Sequence, residues 1–145
     1  MGAEKPLDDQ IQDVLTTTKR IALVGASNKP DRPSYGVMQA LLAHGYEVVP
    51  VNPGLAGQTI HGQAVVARLE DAAPFDMVDV FRASDSVGPV VDEAIRLGAR
   101  SVWMQIGVVN EAAAQAGRAA GLTVIMDRCP KIELPRLGLS RHRPV

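Results

Sequence analysis

Apolar residues along this chain keep two spacings in alternation. Leu7, Ile11, Val14, Leu15 and Thr18 recur at the intervals of one helical face and predict an amphipathic first helix over 7–18. Ile21-Ala22-Leu23-Val24 is a short unbroken apolar run stopped by Gly25, the pattern of a strand buried on both faces. Val37, Met38, Leu41 and Leu42 form the inward side of a second helix, with Ser34 placed to cap its start and Gly45 to end it in a left-handed turn. The alternation then repeats. Glu47–Val51 reads as a second strand, although Pro50 offers no N–H to a central ladder. Residues 54–75 are less patterned, with a short strand expected near Thr59–Ile60 and a short helix over 66–69. Residues 76–81 form a stronger strand. Ser84 or Ser86 starts a helix whose inward side is Val87, Val90, Val91, Ala94 and Ile95, ending at Gly98. Ser101–Met104 is the next strand, 110–120 an alanine-rich helix closed by Gly121, and 122–126 the last strand. From about residue 131 the periodicity fails, and Pro135 and Pro144 predict an irregular tail carrying Arg141-His142-Arg143.

Strands alternating with helices of about eleven residues imply parallel βαβ units. Right-handed crossovers turn these into an α/β fold with one doubly wound, mostly parallel sheet and helices on both faces. At 145 residues the chain has the length of one domain, with a core over about 7–130. Hydrophobic residues are 46% and charged residues 21%, as in a folded globular protein. The formal net charge of -1 argues against a general nucleic-acid binder. One cysteine makes no internal bridge, no apolar run approaches membrane-spanning length, and the first residues lack a signal-peptide core. Pro6 breaks the myristoylation pattern. The expected location is the cytoplasm.

Ligands of doubly wound sheets sit beyond the carboxyl ends of the strands, where strand order reverses. The loop Gly25-Ala26-Ser27-Asn28-Lys29-Pro30-Asp31-Arg32-Pro33-Ser34 lies at such an end. Its glycine permits close backbone approach, Ser27 adds a hydroxyl, and the helix that follows offers N–H groups to an anion. Strand, loop and helix in this order point to phosphate. The loop is not G-x-G-x-x-G, because Ser27 and Pro30 replace the second and third glycines. The second strand ends in Val51-Asn52-Pro53 without the acid that a nicotinamide dinucleotide's ribose requires. No Walker A sequence occurs.

Five blocks in order carry a resemblance: Gly25-Ala26-Ser27, Val51-Asn52-Pro53, Asp79-Val80-Phe81-Arg82, Trp103-Met104-Gln105-Ile106-Gly107 and Met126-Asp127-Arg128-Cys129-Pro130. They resemble the small bacterial and archaeal CoA-binding proteins, whose fold is similar to the amino-terminal domain of the succinyl-CoA ligase alpha subunit. The resemblance spans about residues 7–139. It implies a Rossmann-like domain that binds coenzyme A without an established catalytic activity. By position, Gly25, Ala26, Ser27 and Arg32 would hold the pyrophosphate or 3′-phosphate region, with Ser34 adding to it from the helix start. Val51, Asn52 and Pro53 would border the adenosine. Phe81, Arg82 and Ala83 would line the crevice, and Gln105 with Ile106 would face the pantetheine path. The ligase's phosphohistidine belongs to a further domain and is not carried over.

Lys29, Arg32, Arg82 and Arg128 lie where cations would meet an anionic ligand, and arginine suits phosphate through its bidentate fork. Cys129 reads as a small buried residue at a strand end, or as a thiol on the same rim as the coenzyme's own, open to a mixed disulfide. Gly25-Ala26-Ser27-Asn28-Lys29 matches half of a hydrolase elbow, but His44, His61 and His142 stand in no triad order, and their spacing with Cys129 suggests no metal. Asp76 and Asp79, three apart on one strand, face opposite sides and are not a catalytic pair; Asp79 is expected to satisfy backbone groups in the crevice. Trp103 is expected in the core or an interface. The alanine stripe permits close packing on the sheet or in a dimer. The reading is a CoA or acyl-CoA binding or regulatory module, with a homodimer or partner protein open. Its rivals are a nicotinamide-dependent oxidoreductase and an acyl-CoA ligase or transferase component that needs a partner chain.

Overall fold

The computed structural model describes residues 5–139. The chain runs α1 (Leu7–Thr17), β1 (Arg20–Val24), α2 (Pro33–His44), β2 (Glu47–Val51), β3 (Thr59–Ile60), β4 (Gln63–Ala64), β5 (Met77–Val80), α3 (Val87–Arg96), β6 (Ser101–Met104), α4 (Glu111–Ala119), β7 (Thr123–Ile125) and α5 (Pro130–Arg136). Five strands form a parallel sheet in the order β2-β1-β5-β6-β7, and β3 pairs antiparallel with β4 as a separate hairpin. The chain leaves β1 for β2 on one side and returns to β5 on the other. The strand order therefore reverses between β1 and β5, whose carboxyl ends open a crevice. This is the α/β, Rossmann-like architecture that the alternation predicts.

Side-chain alternation along the strands divides the core in two. Ile21, Leu23, Met77, Trp103 and Ile125 face the layer built by α1, α2 and α5. Ala22, Val24, Val78, Val80, Val102, Met104 and Val124 face α3 and α4. Trp103 is fully buried and its indole N–H donates to Arg128 O at 2.8 Å, so it belongs to the core. The alanine stripe is split by its helix. Ala113, Ala114 and Gly117 are buried, while Ala112, Ala116 and Ala119 are exposed. A Cβ at Gly117 would lie 2.9 Å from a Val124 methyl, so the small residues bring α4 close to the sheet.

Several local expectations change. Ser34 is not the cap of α2: Arg32 holds that position and Pro33 takes the first helical turn, where its fixed φ and missing N–H are harmless. Gly45, at φ 108°, does close the helix in the left-handed region. Pro50 is accommodated because β2 is an edge of the sheet. Its carbonyl faces outward and accepts from Val66 N at 3.0 Å, so the missing N–H leaves no ladder bond unmade. Val66 is thereby held extended, and the short helix expected over 66–69 appears instead as a 3-10 turn at Leu69–Ala72. The tail is not irregular from 131. Pro130 begins α5, whose Leu134 packs into the α1–α2 layer, and Pro135 stands inside this seven-residue helix, where it withholds one N–H from the helical ladder. Glu133 of α5, buried, is held by Arg136 at 2.8 Å, and Arg136 reaches Asp8 of α1 at 2.7 Å. Arg141, His142 and Arg143 lie outside the described residues.

Candidate functional site

The carboxyl ends of the strands enclose a cleft of about 880 Å³. Its walls come from the loop after β1, the start of α2, the turn after β2, and the ends of β5, β6 and β7. Gly25, Ala26, Ser27, Arg32, Ser34, Asn52, Phe81, Arg82, Ala83, Gln105 and Ile106 are brought together there. Val51 and Pro53 do not line it. Val51 is buried in the α3–α4 layer, and Pro53 opens an exposed turn beside Asn52. Asn28, Lys29, Pro33, Val37, Gly54, Leu55, Val108 and Cys129 complete the lining. Val37 was legible as the next residue on the Ser34 side of the helix. Leu55 lies in the segment without clear periodicity, and nothing in the sequence marks it.

The loop after β1 is fixed by contacts with its neighbours. Gly25 adopts φ +88°, and a Cβ there would stand 2.2 Å from Phe81 O. The chain end of β5 thus already requires glycine at this position through its own close approach. The N–H groups of Gly25 and Ala26 both reach Val51 O, at 3.1 and 3.3 Å, so they tie the loop to β2. Asn52 works in the same way: its amide donates to Ala26 O at 2.8 Å and accepts from Gly54 N at 2.9 Å. With both polar ends engaged, Asn52 shapes two loops. Ser27 Oγ accepts from Lys29 N at 3.1 Å and tightens the turn that carries Lys29. The β3–β4 hairpin lies against the same region, where His61 Nε2 meets Tyr35 O at 2.8 Å and Asn28 meets Gln58 at 3.5 Å.

On the far side of the crevice, Gly107 N donates to Asp127 Oδ1 at 2.7 Å and Val109 N to Ser84 Oγ at 3.0 Å. These bonds fix the loop carrying Gln105 and Ile106 to the ends of β5 and β7. Three of the expected cations, Lys29, Arg32 and Arg82, line the cleft, and none takes part in an ion pair among the described residues. Arg128 is not among the lining residues. Its guanidinium turns to Glu133 at 3.5 Å, a partner on a helix the sequence did not reveal. Among the described residues no aspartate or glutamate lines the cleft, so its formal charge is positive although the whole chain carries -1.

Asp76 and Asp79 have separate lives. Asp76 Oδ2 accepts from the N–H groups of Lys19 and Arg20 at 2.9 and 3.0 Å. Asp79 does not satisfy backbone groups as expected: it is fully buried, neither oxygen has a partner among the described residues, and burial pushes its carboxyl well above the usual range. Gln105 is also buried, and its Oε1 has no partner among the described residues. No His/Cys/Asp/Glu cluster among the described residues has a metal-binding arrangement, and no helix there is long and apolar enough to cross a membrane.

Comparison with known proteins gives this architecture a family. A Bacillus subtilis protein named only as uncharacterized protein YneT is 40% identical over 129 residues, covering 89% of this chain and 95% of its own. A hypothetical protein from Pyrococcus horikoshii OT3 is 37% identical in a solved structure, with a TM-score of 0.84 over 94% of this chain and 99% of that one. A Thermus thermophilus protein, cell-free ID.343, is 34% identical, with a TM-score of 0.85 over 91% of this chain and 99% of that one. The family model described as "CoA binding domain" matches residues 19–135, from the first strand through nearly all of the last helix. With its sheet order and that match, the chain belongs to the CoA binding domain family.

Proposed function

We propose that the cleft binds coenzyme A or an acyl-CoA and that the protein acts as a binding or regulatory module rather than a stand-alone enzyme. The observation that carries this reading is the charge of the cleft. Lys29, Arg32 and Arg82 line a site that holds no carboxylate among the described residues, at the strand-order reversal, in a chain that belongs to the CoA binding domain family. Coenzyme A carries a diphosphate and a 3′-phosphate, which suit a cationic pocket. In this reading Lys29 and Arg32, with Ser27 and Ser34, receive the phosphates on the β1 side. Arg82 stands beside them after β5, and the adenosine lies against Asn52, Gly54 and Leu55. The pantetheine arm passes Phe81, Ala83, Gln105 and Ile106. Among the described residues the lining offers no imidazole or carboxylate as a general base, which favours binding over acyl hydrolysis.

Isothermal calorimetry and thermal unfolding with CoA, acetyl-CoA, NAD, NADP and ATP test the reading. CoA at 100 times its dissociation constant is expected to add about 2.7 kcal/mol of stability. The two nicotinamide dinucleotides are expected to add little, since no acid follows β2 to hold a ribose. Stabilisation by NAD without CoA would replace this reading with the oxidoreductase one.

A further inference from the structure

The loop that follows β6 departs from the usual chemistry of an exposed turn. Val108 N donates to Gln105 O at 2.8 Å and Gly107 adopts φ 85°, so residues 105–108 form a tight turn with glycine in its third position. Its corner residue, Ile106, is 59% exposed, and Val109, just past the turn, is 44% exposed. Exposed turns ordinarily carry Pro, Asn, Asp or Ser at such positions. Among the described residues two other large apolar side chains are exposed, Leu7 on α1 and Ile132 on α5, and neither lines the cleft.

The backbone of this loop is pinned. Gly107 N is held by Asp127, Val109 N by Ser84 Oγ, and the same hydroxyl donates to Gly107 O at 3.3 Å. Ile106 lines the cleft beside Val108, which is buried. The cations of the lining come from the loop after β1 and the end of β5, whereas the loop after β6 brings no charged residue to it. The cleft is therefore divided into a cationic side and an apolar rim that is fixed and open to water. Exposed apolar surface continuous with a groove marks the place of an apolar ligand group. Free coenzyme A, whose arm ends in a small thiol, leaves such a rim wet, while hydrocarbon attached to that thiol covers it.

We propose that the rim formed by Ile106, Val108 and Val109 receives the acyl chain of a medium-chain acyl-CoA, so that the preferred ligand is this thioester rather than free coenzyme. The proposal rests on the CoA reading above and names the ligand class of the same site. Chain length follows from the size of the rim, since three side chains cover only a short stretch of hydrocarbon. A methylene removed wholly from water strengthens binding about fourfold, and one covered on a single side about twofold. Hexanoyl-CoA carries four more methylenes than acetyl-CoA, so single-sided cover predicts a gain of about tenfold or more.

Calorimetric titration of the full chain with CoA, acetyl-CoA, hexanoyl-CoA and octanoyl-CoA tests the proposal. The wild type is expected to bind hexanoyl-CoA about tenfold tighter than acetyl-CoA, and octanoyl-CoA at least as tightly as hexanoyl-CoA. Ile106→Ser and Val109→Ser should each cut the octanoyl-to-acetyl affinity ratio by about threefold or more. Ile132→Ser, which changes an exposed side chain away from the cleft, should keep the wild-type ratio. Acetyl-CoA bound as tightly as octanoyl-CoA, or a ratio untouched by both loop variants, overturns the proposal and leaves CoA binding intact. Sedimentation velocity checks the rival occupant: a wild-type dimer that Ile106→Ser splits would assign the rim to a second copy of the chain and overturn the acyl assignment. Absence of binding by every form of the coenzyme defeats the CoA reading itself.

Discussion

Asp79 stands between Leu23 and Trp103 in the register of the sheet, fully buried, with both oxygens unpartnered among the described residues. Burial raises its pKa, so above the unfolded value of about 3.9 and up to the raised folded one the folded chain keeps a proton that an unfolded aspartate releases. The folded state binds more protons, and the sign follows from linkage. The contribution of this group to stability is fully present below the unfolded value and is lost as pH rises toward the raised folded one. Asp79→Asn removes the titration while keeping the shape. Urea unfolding at pH 4 and pH 7 should show the variant gaining on the wild type at the higher pH. Parallel pH dependence of the two proteins would mean that Asp79 is not held neutral. The sequence placed this residue on the strand but gave it a backbone partner. Residue type reveals that a carboxyl is buried only when the depth of both helical layers is known.

At the level of elements, the junction of β1 with β5 shows most directly how the cleft is made. Gly25 and Gly57 share nearly the same left-handed φ, +88° and +89°, but only Gly25 is crowded. Alanine at Gly57 meets nothing within 4 Å and should cost about 1 kcal/mol for its backbone conformation alone. Alanine at Gly25 must also displace Phe81 O, 2.2 Å from the new Cβ, and should cost about 3 kcal/mol or more. Denaturant unfolding of the two variants checks the difference, and equal losses would show that the β5 backbone yields freely. The alternation of strands and helices was readable because each element buries a patterned face. The glycine was readable as special, but its partner was not, since Phe81 lies 56 residues away and only the sheet order makes them neighbours. α5 escaped notice for a related reason. Two prolines in seven residues mask a helix that depends on Leu134 packing and on the Glu133–Arg136–Asp8 ion pairs, which are long-range facts. The same ion-pair set withdraws Arg128 from the group of cations that sequence position had assembled.

Taken as a whole molecule, the chain combines a net charge of -1 with a cleft that, among the described residues, holds three cations and no carboxylate. A near-neutral protein exerts little long-range field, so attraction for a polyanion must arise within about one Debye length of the cleft, ~10 Å at 0.1 M salt. Arg32, Arg82 and Lys29 are then expected to account for most of the salt sensitivity of CoA binding. Arg32→Ala and Arg82→Ala should each weaken CoA binding by about tenfold at low salt, the scale of one charge-assisted phosphate contact. At high salt the loss should shrink, because screening has already reduced the wild-type charge contribution. Arg128→Ala is the informative comparison: its guanidinium is committed to Glu133, so CoA affinity should change little at either salt concentration. Calorimetric titrations at two ionic strengths distinguish these outcomes. If Arg32→Ala and Arg82→Ala bind CoA like the wild type while Arg128→Ala does not, the phosphates lie on the β7 side and the coenzyme is bound in the reverse orientation.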